Sequence, residues 1–242
     1  MTADPLLTLS GVNTKIGRYH ILHGVDFVVP KGGITMLLGR NGAGKTTTLR
    51  TIMGLWRAAE GRIMFDGTDL TKLATPEIAR LGIAYVPESM GIFADLTVRE
   101  NLILATRERA PDPRRLQWIF GLFPALEKFY ALAAGALSGG QKQMLSVARA
   151  IVEPRKLILV DEPTKGLAPS IIRNMIAAFK ELKQTETTIL VVEQNFVFAE
   201  SLGDGVAVMD DGKIRHTGTM QALAADRELQ QRMLGLHLDA HQ

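Results

Sequence analysis

The sequence predicts an α/β fold built on a parallel sheet, and three observations carry that expectation. Gly39-Arg40-Asn41-Gly42-Ala43-Gly44-Lys45-Thr46 reads G-x-x-x-x-G-K-T without a gap, directly after the apolar run Ile34-Thr35-Met36-Leu37-Leu38 and before a helix-like stretch at 47–53. A second, largely apolar run at 156–160 ends in Asp161-Glu162. Apolar strand-like runs then alternate with helical stretches, the order that a parallel sheet demands. A chain of 242 residues with 46% apolar content is long enough to bury the core of one sizeable domain.

Taken in order, Leu6-Leu7-Thr8-Leu9 and Val25-Asp26-Phe27-Val28-Val29 read as strands, bounded by Gly24 and by Pro30-Lys31-Gly32-Gly33. The glycine loop and its helix follow. Residues 61–67 form a further strand that closes on the Asp66-Gly67 turn. A short helix fits 76–81, with Thr75 as N-cap and Pro76 at the first helical position. Ile83-Ala84-Tyr85-Val86 is a strand stopped by Pro87. From Glu88 to about Ala150 the composition changes. Thr97 and Glu100 stand at capping-box spacing, Pro111 and Pro113 interrupt the pattern, and 116–123 resumes it. This stretch is expected to be a helical insert, about 88–150, in one domain spanning 1–242. Strands at 156–160 and 188–192 are each followed by a helix. The tail holds a strand at 205–209, a turn at Asp211-Gly212 and one last helix over 220–234.

Composition excludes several classes. Without cysteine there are no disulfides, thiolate metal sites or cysteine nucleophiles. The net charge of +3 is spread along the chain, so no nucleic acid is expected as a partner. Residues 1–5 lack the basic start and apolar centre of a signal peptide, and no apolar run approaches the roughly 18 residues of a membrane span. Any link to a membrane is therefore expected to run through a partner. His20, His23, His216, His237 and His241 show no metal-ligand spacing, and the methionines read as core filler. Arg107, Arg109, Arg114 and Arg115 read as a solvated loop.

The glycine loop is where chemistry is legible. Its backbone N–H groups can turn inward onto phosphate oxygens, and the helix N-terminus behind it favours the same charge. Gly39, Arg40, Asn41, Gly42, Ala43, Gly44, Lys45, Thr46 and Thr47 form the candidate cradle for a nucleoside triphosphate. Lys45 supplies a point charge for the β- and γ-phosphates, and the Thr46 hydroxyl is placed to ligate Mg²⁺. Asp161, ending a buried strand, can hold the same ion through its waters. Glu162 beside it can act as general base for an attacking water. Leu137-Ser138-Gly139-Gly140-Gln141 looks like a helix start with Ser138 as cap, a second anion site without a lysine. Two such sites on one chain make sense where the second serves another molecule's nucleotide.

With these motifs in this order and at these separations, the sequence resembles the ATP-binding cassette (ABC) ATPases along essentially its whole length. The resemblance implies a P-loop NTPase parallel-sheet core with an N-terminal antiparallel β part and the helical insert. It implies ATP and Mg²⁺ as cofactors, and a head-to-tail pair of cassettes. Each ATP would then lie between one cassette's phosphate loop and the other's Ser138, Gly139, Gly140 and Gln141. It further implies two transmembrane permease subunits, an extracytoplasmic solute-binding protein, and a peripheral position on the cytoplasmic face of the membrane. Gly166-Leu167-Ala168-Pro169, Pro87-Glu88 and Val192-Glu193-Gln194-Asn195 are similar to ATPase subunits of branched-chain amino-acid importers. That form implies amino-acid uptake, with urea and short amides as alternative cargo. Repair or translation cassettes are the rival class; they carry paired cassettes or long coiled coils, which this chain lacks.

Three positions depart from the family pattern. Ile16 stands where an aromatic stacks on adenine; Tyr19 reads either as a residue that compensates or as an ordinary strand-edge tyrosine. Glu88 replaces the glutamine that senses Mg²⁺ and water; while ionised it accepts hydrogen bonds but donates none. Gln194 replaces the switch histidine, so the γ-phosphate meets an amide that can donate a hydrogen bond but cannot take up a proton or carry positive charge. The expectation is slow turnover at this chain's own loop and a paralogous, histidine-bearing partner, with a homodimer as the alternative. Lys165 is expected either to line the cassette interface or to be merely exposed beside it.

Overall fold

The computed structural model describes residues 4–108 and 110–235. Arg109, His237 and His241 lie outside the described residues. The chain opens with a long hairpin, β1 (Pro5–Ile16) and β2 (Tyr19–Pro30). It continues through β3 (Ile34–Leu38), α1 (Lys45–Ile52), β4 (Ala58–Phe65), β5 (Thr68–Asp69), α2 (Thr75–Arg80) and β6 (Ile83–Val86). Four helices follow: α3 (Val98–Ile103), α4 (Pro113–Leu122), α5 (Pro124–Lys128) and α6 (Gly139–Ile151). Then come β7 (Leu157–Asp161), α7 (Pro169–Lys183), β8 (Thr188–Glu193), α8 (Phe196–Leu202), β9 (Gly205–Asp210) and β10 (Lys213–Thr219). Two short helices close the described chain, α9 (Met220–Ala225) and α10 (Arg227–Leu234).

Two sheets form. The antiparallel one runs β2-β1-β4-β5, and the larger runs β10-β9-β3-β8-β7-β6, parallel except for β10. The central strands are buried along their whole length because both faces are covered. Alternate residues feed two separate cores. Ile158 and Val160 of β7 and Ile189 and Val191 of β8 pack toward α6, α7 and α8. Leu157, Leu159, Leu190 and Val192 pack toward α1 and the antiparallel sheet. This parity decides where Asp161 points. It follows Leu157 and Leu159 onto the α1 side, which brings a strand-end carboxylate to a helix N-terminus.

Several boundaries differ from the sequence expectation, each for a local reason. β1 and β2 extend far beyond 6–9 and 25–29, because pairing with β4 and with each other carries polar residues into the ladder. Gly24 lies within β2, at a register slip between Val12 and Thr14. The N-cap of α2 is Ala74, not Thr75; the Glu77 carboxylate reaches back to the Ala74 N–H at 2.8 Å. Pro113 starts α4 rather than breaking it, with Asp112 accepting from the Arg115 N–H at 2.9 Å. The last helix is two helices, divided at Asp226, whose side chain caps α10 at 2.8 Å from the Leu229 N–H. The arginine cluster is not uniformly solvated. Arg115 donates to the Ile151 carbonyl at 2.7 Å and stacks 4.1 Å from the Trp118 ring, and Arg107 pairs with Glu153. Among the described residues no helix is long and apolar enough to cross a membrane.

The helices between β6 and β7 are anchored by two polar devices. Thr97 and Glu100 form the expected capping box of α3, with the Thr97 N–H 2.7 Å from the Glu100 carboxylate. Fully buried Asn101 accepts from the Phe93 N–H at 2.9 Å and donates to the carbonyls of Phe93 and Thr97 at 2.9 and 3.0 Å. It thereby ties the loop after β6 to α3. In the same core, Phe179 and Phe198 meet edge to face at 6.0 Å and join α7 to α8. Replacing Asn101→Leu strands several backbone groups without partners. The expected cost is about 3 kcal/mol, seen as a lower urea midpoint at unchanged slope. A midpoint equal to wild type would show that the loop is held by other contacts.

Candidate functional site

The phosphate loop leaves β3 against the neighbouring strand β9. A Cβ at Gly39 would lie 2.2 Å from the Met209 carbonyl oxygen, so only glycine fits this close approach. The loop is braced by bonds from the Ala43 N–H to the Arg40 carbonyl at 3.2 Å and from the Gly212 N–H to the Ala43 carbonyl at 2.9 Å. Behind it, α1 begins with no side-chain cap and no acidic residue in its first turn. Its leading N–H groups thus remain available to an anion. Lys45 is buried and donates to the carbonyls of Gly39 and Arg40 at 2.9 and 3.0 Å. Burial holds its pKa below the ordinary lysine value, and the Glu162 carboxylate at 3.6 Å pulls in the opposite direction. A desolvated cation bonded mainly to neutral carbonyls is a ready partner for phosphate oxygens.

Asp161 is fully buried at the end of β7. One oxygen accepts from the Thr46 hydroxyl at 2.9 Å and the other from the Tyr85 hydroxyl at 3.0 Å. Burial raises its pKa above the usual carboxylate value, and these two bonds oppose the shift. Burial, with the negative charge of Asp161 second, likewise pushes the Tyr85 phenol up. A hydroxyl and a carboxylate joined in this way are hard oxygen donors that fit Mg²⁺. Among the described residues no group of three or more His, Cys, Asp or Glu side chains is placed to hold a metal.

Glu162 adopts a left-handed backbone, φ 47°, uncommon for a residue with a side chain, and its N–H donates to the Val192 carbonyl at 2.9 Å. Its carboxylate meets three groups. The Gln194 amide donates to Oε1 at 2.6 Å, Lys45 stands 3.6 Å from the same oxygen, and Lys165 lies 3.4 Å from Oε2. The Gln194 amide also donates to the Asn41 Oδ1 at 2.6 Å, so one side chain ties the strand-end carboxylate to the phosphate loop. Glu88, on the loop after β6, is paired with Lys165 at 2.5 Å. A cleft of about 600 Å³ beside the loop is lined by Leu38, Gly39, Arg40, Asn41, Gln194 and Leu234. The larger cleft, 1270 Å³, lies at the opposite ends of β6, β7 and β8, away from these residues.

The remaining expected residues sit apart from the loop. Ser138 caps α6, its N–H donating to the Gln141 side chain at 2.9 Å, and Ser138 and Gly139 are exposed. No hydrogen bond or ion pair among the described residues joins 138–141 to this chain's own phosphate loop. A Cβ at Gly140 would lie 2.8 Å from Ile171, so α6 starts tightly against α7. Ile16 and Tyr19 face each other across the turn of the β1–β2 hairpin. Tyr19 is 60% exposed, with the Arg18 guanidinium 5.1 Å from its ring centre. The hairpin reaches α1 through the Thr14 and Thr51 hydroxyls, 3.1 Å apart.

Two polar residues have roles that the sequence reading did not assign. Tyr85 reads as one more apolar position of a strand, yet its hydroxyl meets Asp161 because Ile83 and Tyr85 share the α1-facing side of the sheet. Glu193 is buried and accepts four bonds: from the Thr164 N–H and hydroxyl at 3.0 and 2.7 Å, and from the N–H groups of Gln194 and Asn195 at 2.9 and 3.0 Å. It locks the loops after β7 and β8 together. A charge closing an otherwise apolar strand run was the one available hint.

Residues 22–165, more than half of the chain, match the family model described as ABC transporter. The chain is 38% identical over 232 residues to the high-affinity branched-chain amino acid transport ATP-binding protein BraG of Pseudomonas aeruginosa, covering 95% of this chain and 100% of that protein. It is 34% identical to the probable branched-chain amino acid transport ATP-binding protein LivF of Archaeoglobus fulgidus, covering 93% and 97%. Among solved structures, the ADP conformation of an ATP-binding cassette of an ABC transporter superposes with a TM-score of 0.80 at 26% identity, covering 97% and 100%. Uncapped helix, glycine loop, buried lysine and strand-end carboxylates thus coincide with a family match across the same residues, and the chain belongs to the ABC transporter family.

Proposed function

We propose that the chain is the ATP-binding and ATP-hydrolysing subunit of an importer for amino acids, of which branched-chain amino acids are the favoured cargo. The observation that carries this is the convergence of Lys45, Thr46, Asp161, Glu162 and Gln194 around one glycine loop. The cargo rests on the names of the Pseudomonas and Archaeoglobus relatives. The chain acts as a single nucleotide-binding domain with an insert at about 88–150. It sits on the cytoplasmic face of a membrane, held by two permease subunits that a solute-binding protein supplies from the other side.

Gly39–Thr47 backbone groups bind the triphosphate, and Lys45 exchanges its carbonyl partners for phosphate oxygens. Thr46 and Asp161, with Glu88 nearby, would hold Mg²⁺, which when bound neutralises charge developing on the phosphates. Glu162 accepts the proton of the attacking water, and Gln194 orients its carboxylate from the loop side. Ile16 and Tyr19 offer apolar and aromatic contact to the base. The turn at Ser138, Gly139, Gly140 and Gln141, exposed at Ser138 and Gly139, serves the nucleotide of a second cassette, so closure of the pair drives transport. A second reading, a weakly catalytic member of a heterodimer, is favoured by one observation. Gln194 supplies an amide where a titrating group would carry charge, and it already occupies Glu162.

Glu162→Gln should keep ATP binding and slow hydrolysis by about 10²–10⁴. Nucleotide binding and phosphate release measured on the same preparation check this; unchanged turnover would remove Glu162 from the role. The purified chain alone should hydrolyse ATP more slowly, by about 10²-fold or more, than the assembly with permeases and a paralogous cassette, because half of each site is supplied in trans. Fast hydrolysis independent of any partner would count against the shared site.

A further inference from the structure

We propose that Lys165 is a positioning residue that makes glutamate workable at position 88, by bridging Glu88 to the general base. This deepens the functional reading above and rests on it. The Lys165 ammonium is 2.5 Å from Glu88 Oε1 and 3.4 Å from Glu162 Oε2, so one cation sits between two carboxylates from different loops. Asp161, next in the chain to Glu162, adds a third carboxylate at this end of the sheet. Three carboxylates around an incoming triphosphate repel one another and the ligand; a cation between two of them offsets that repulsion. A neutral amide at position 88 would need no such partner.

The backbone carrying Lys165 is fixed. The Thr164 N–H and hydroxyl are bound to buried Glu193, the Lys165 N–H donates to the Glu162 carbonyl at 3.2 Å, and the Leu167 N–H donates to the Thr164 carbonyl at 3.2 Å. From this support the side chain reaches across to the loop after β6. Ser146 and Arg149 of α6 hold that same loop through the carbonyls of Met90 and Gly91. Lys165 thereby connects Glu162 to a loop tied to the helix whose start is the Ser138 turn. The bridge itself is a surface one, with Lys165 57% and Glu88 39% exposed, so its effect is moderate and depends on salt.

The test is a double-mutant cycle in the full assembly, reading kcat and KM for ATP, with ATP affinity measured separately. Lys165→Met should lower kcat about fivefold, the upper range for an exposed pair, with KM and ATP affinity unchanged. Lys165→Arg should restore most of kcat. In a Glu88→Gln background the same Lys165→Met change should cost less than about twofold. A fivefold loss in both backgrounds, or none in either, would overturn the bridge. If the parent assembly binds no ATP, the functional reading fails instead. The cycle read on thermal midpoint then still decides the bridge: Lys165→Met lowers the midpoint only where Glu88 is present, and equal shifts in both backgrounds overturn it.

Discussion

The bond between the Thr46 hydroxyl and Asp161, 2.9 Å long, joins the two halves on which the rest of the site depends. One half is a helix start exposed by a glycine loop; the other is a strand end buried in the middle of a sheet. Neither has chemistry alone. The bond exists because β3 and β7 flank β8 in the sheet and both end on the same edge, and because Asp161 shares the side-chain parity of Leu157 and Leu159. A one-residue slip of β7 would send Asp161 into the opposite core and place Glu162 where the helix begins.

Charge balance governs the surroundings of that bond. Lys45, Asp161, Glu162, Lys165 and Glu88 stand close together, and Glu193 lies just behind them. Burial works against the charged forms of Lys45 and Asp161, whose shifts are in opposite directions for that reason. The protein offsets this cost by pairing every carboxylate with hydroxyls, amides or cations. Glu193 takes the most complete set, four bonds, and is also the one farthest from any ligand role. It stabilises geometry so that Glu162 can hold an unusual backbone conformation beside it.

Mechanical connection follows from the same contacts. The Ser138 turn begins α6, α6 holds the loop after β6 through Ser146 and Arg149, and that loop carries Glu88 to Lys165 and so to Glu162. A change at the exposed turn thus has a continuous path of packed and bonded groups to Glu162. Asn101 fastens the same loop to α3 from its other end. The segment between β6 and β7 is therefore coupled to the site by polar bonds in addition to apolar packing.

The sequence alone determined the α/β class, the phosphate loop, the strand ending in Asp161-Glu162 and the capped starts at Thr97 and Ser138, because each is encoded by neighbours within a few residues. It misjudged the first two strands and the end of the chain, where pairing with β4 and a cap at Asp226 decide the boundaries. Only the tertiary structure decided that Tyr85 meets Asp161, that Glu193 binds Thr164, that Gln194 spans Asn41 and Glu162, and that Lys165 reaches Glu88. These partners are separated by 29 to 153 positions along the chain, and nothing in local pattern specifies them. They arise from strand order and side-chain parity, which bring distant strand ends to one edge of the sheet.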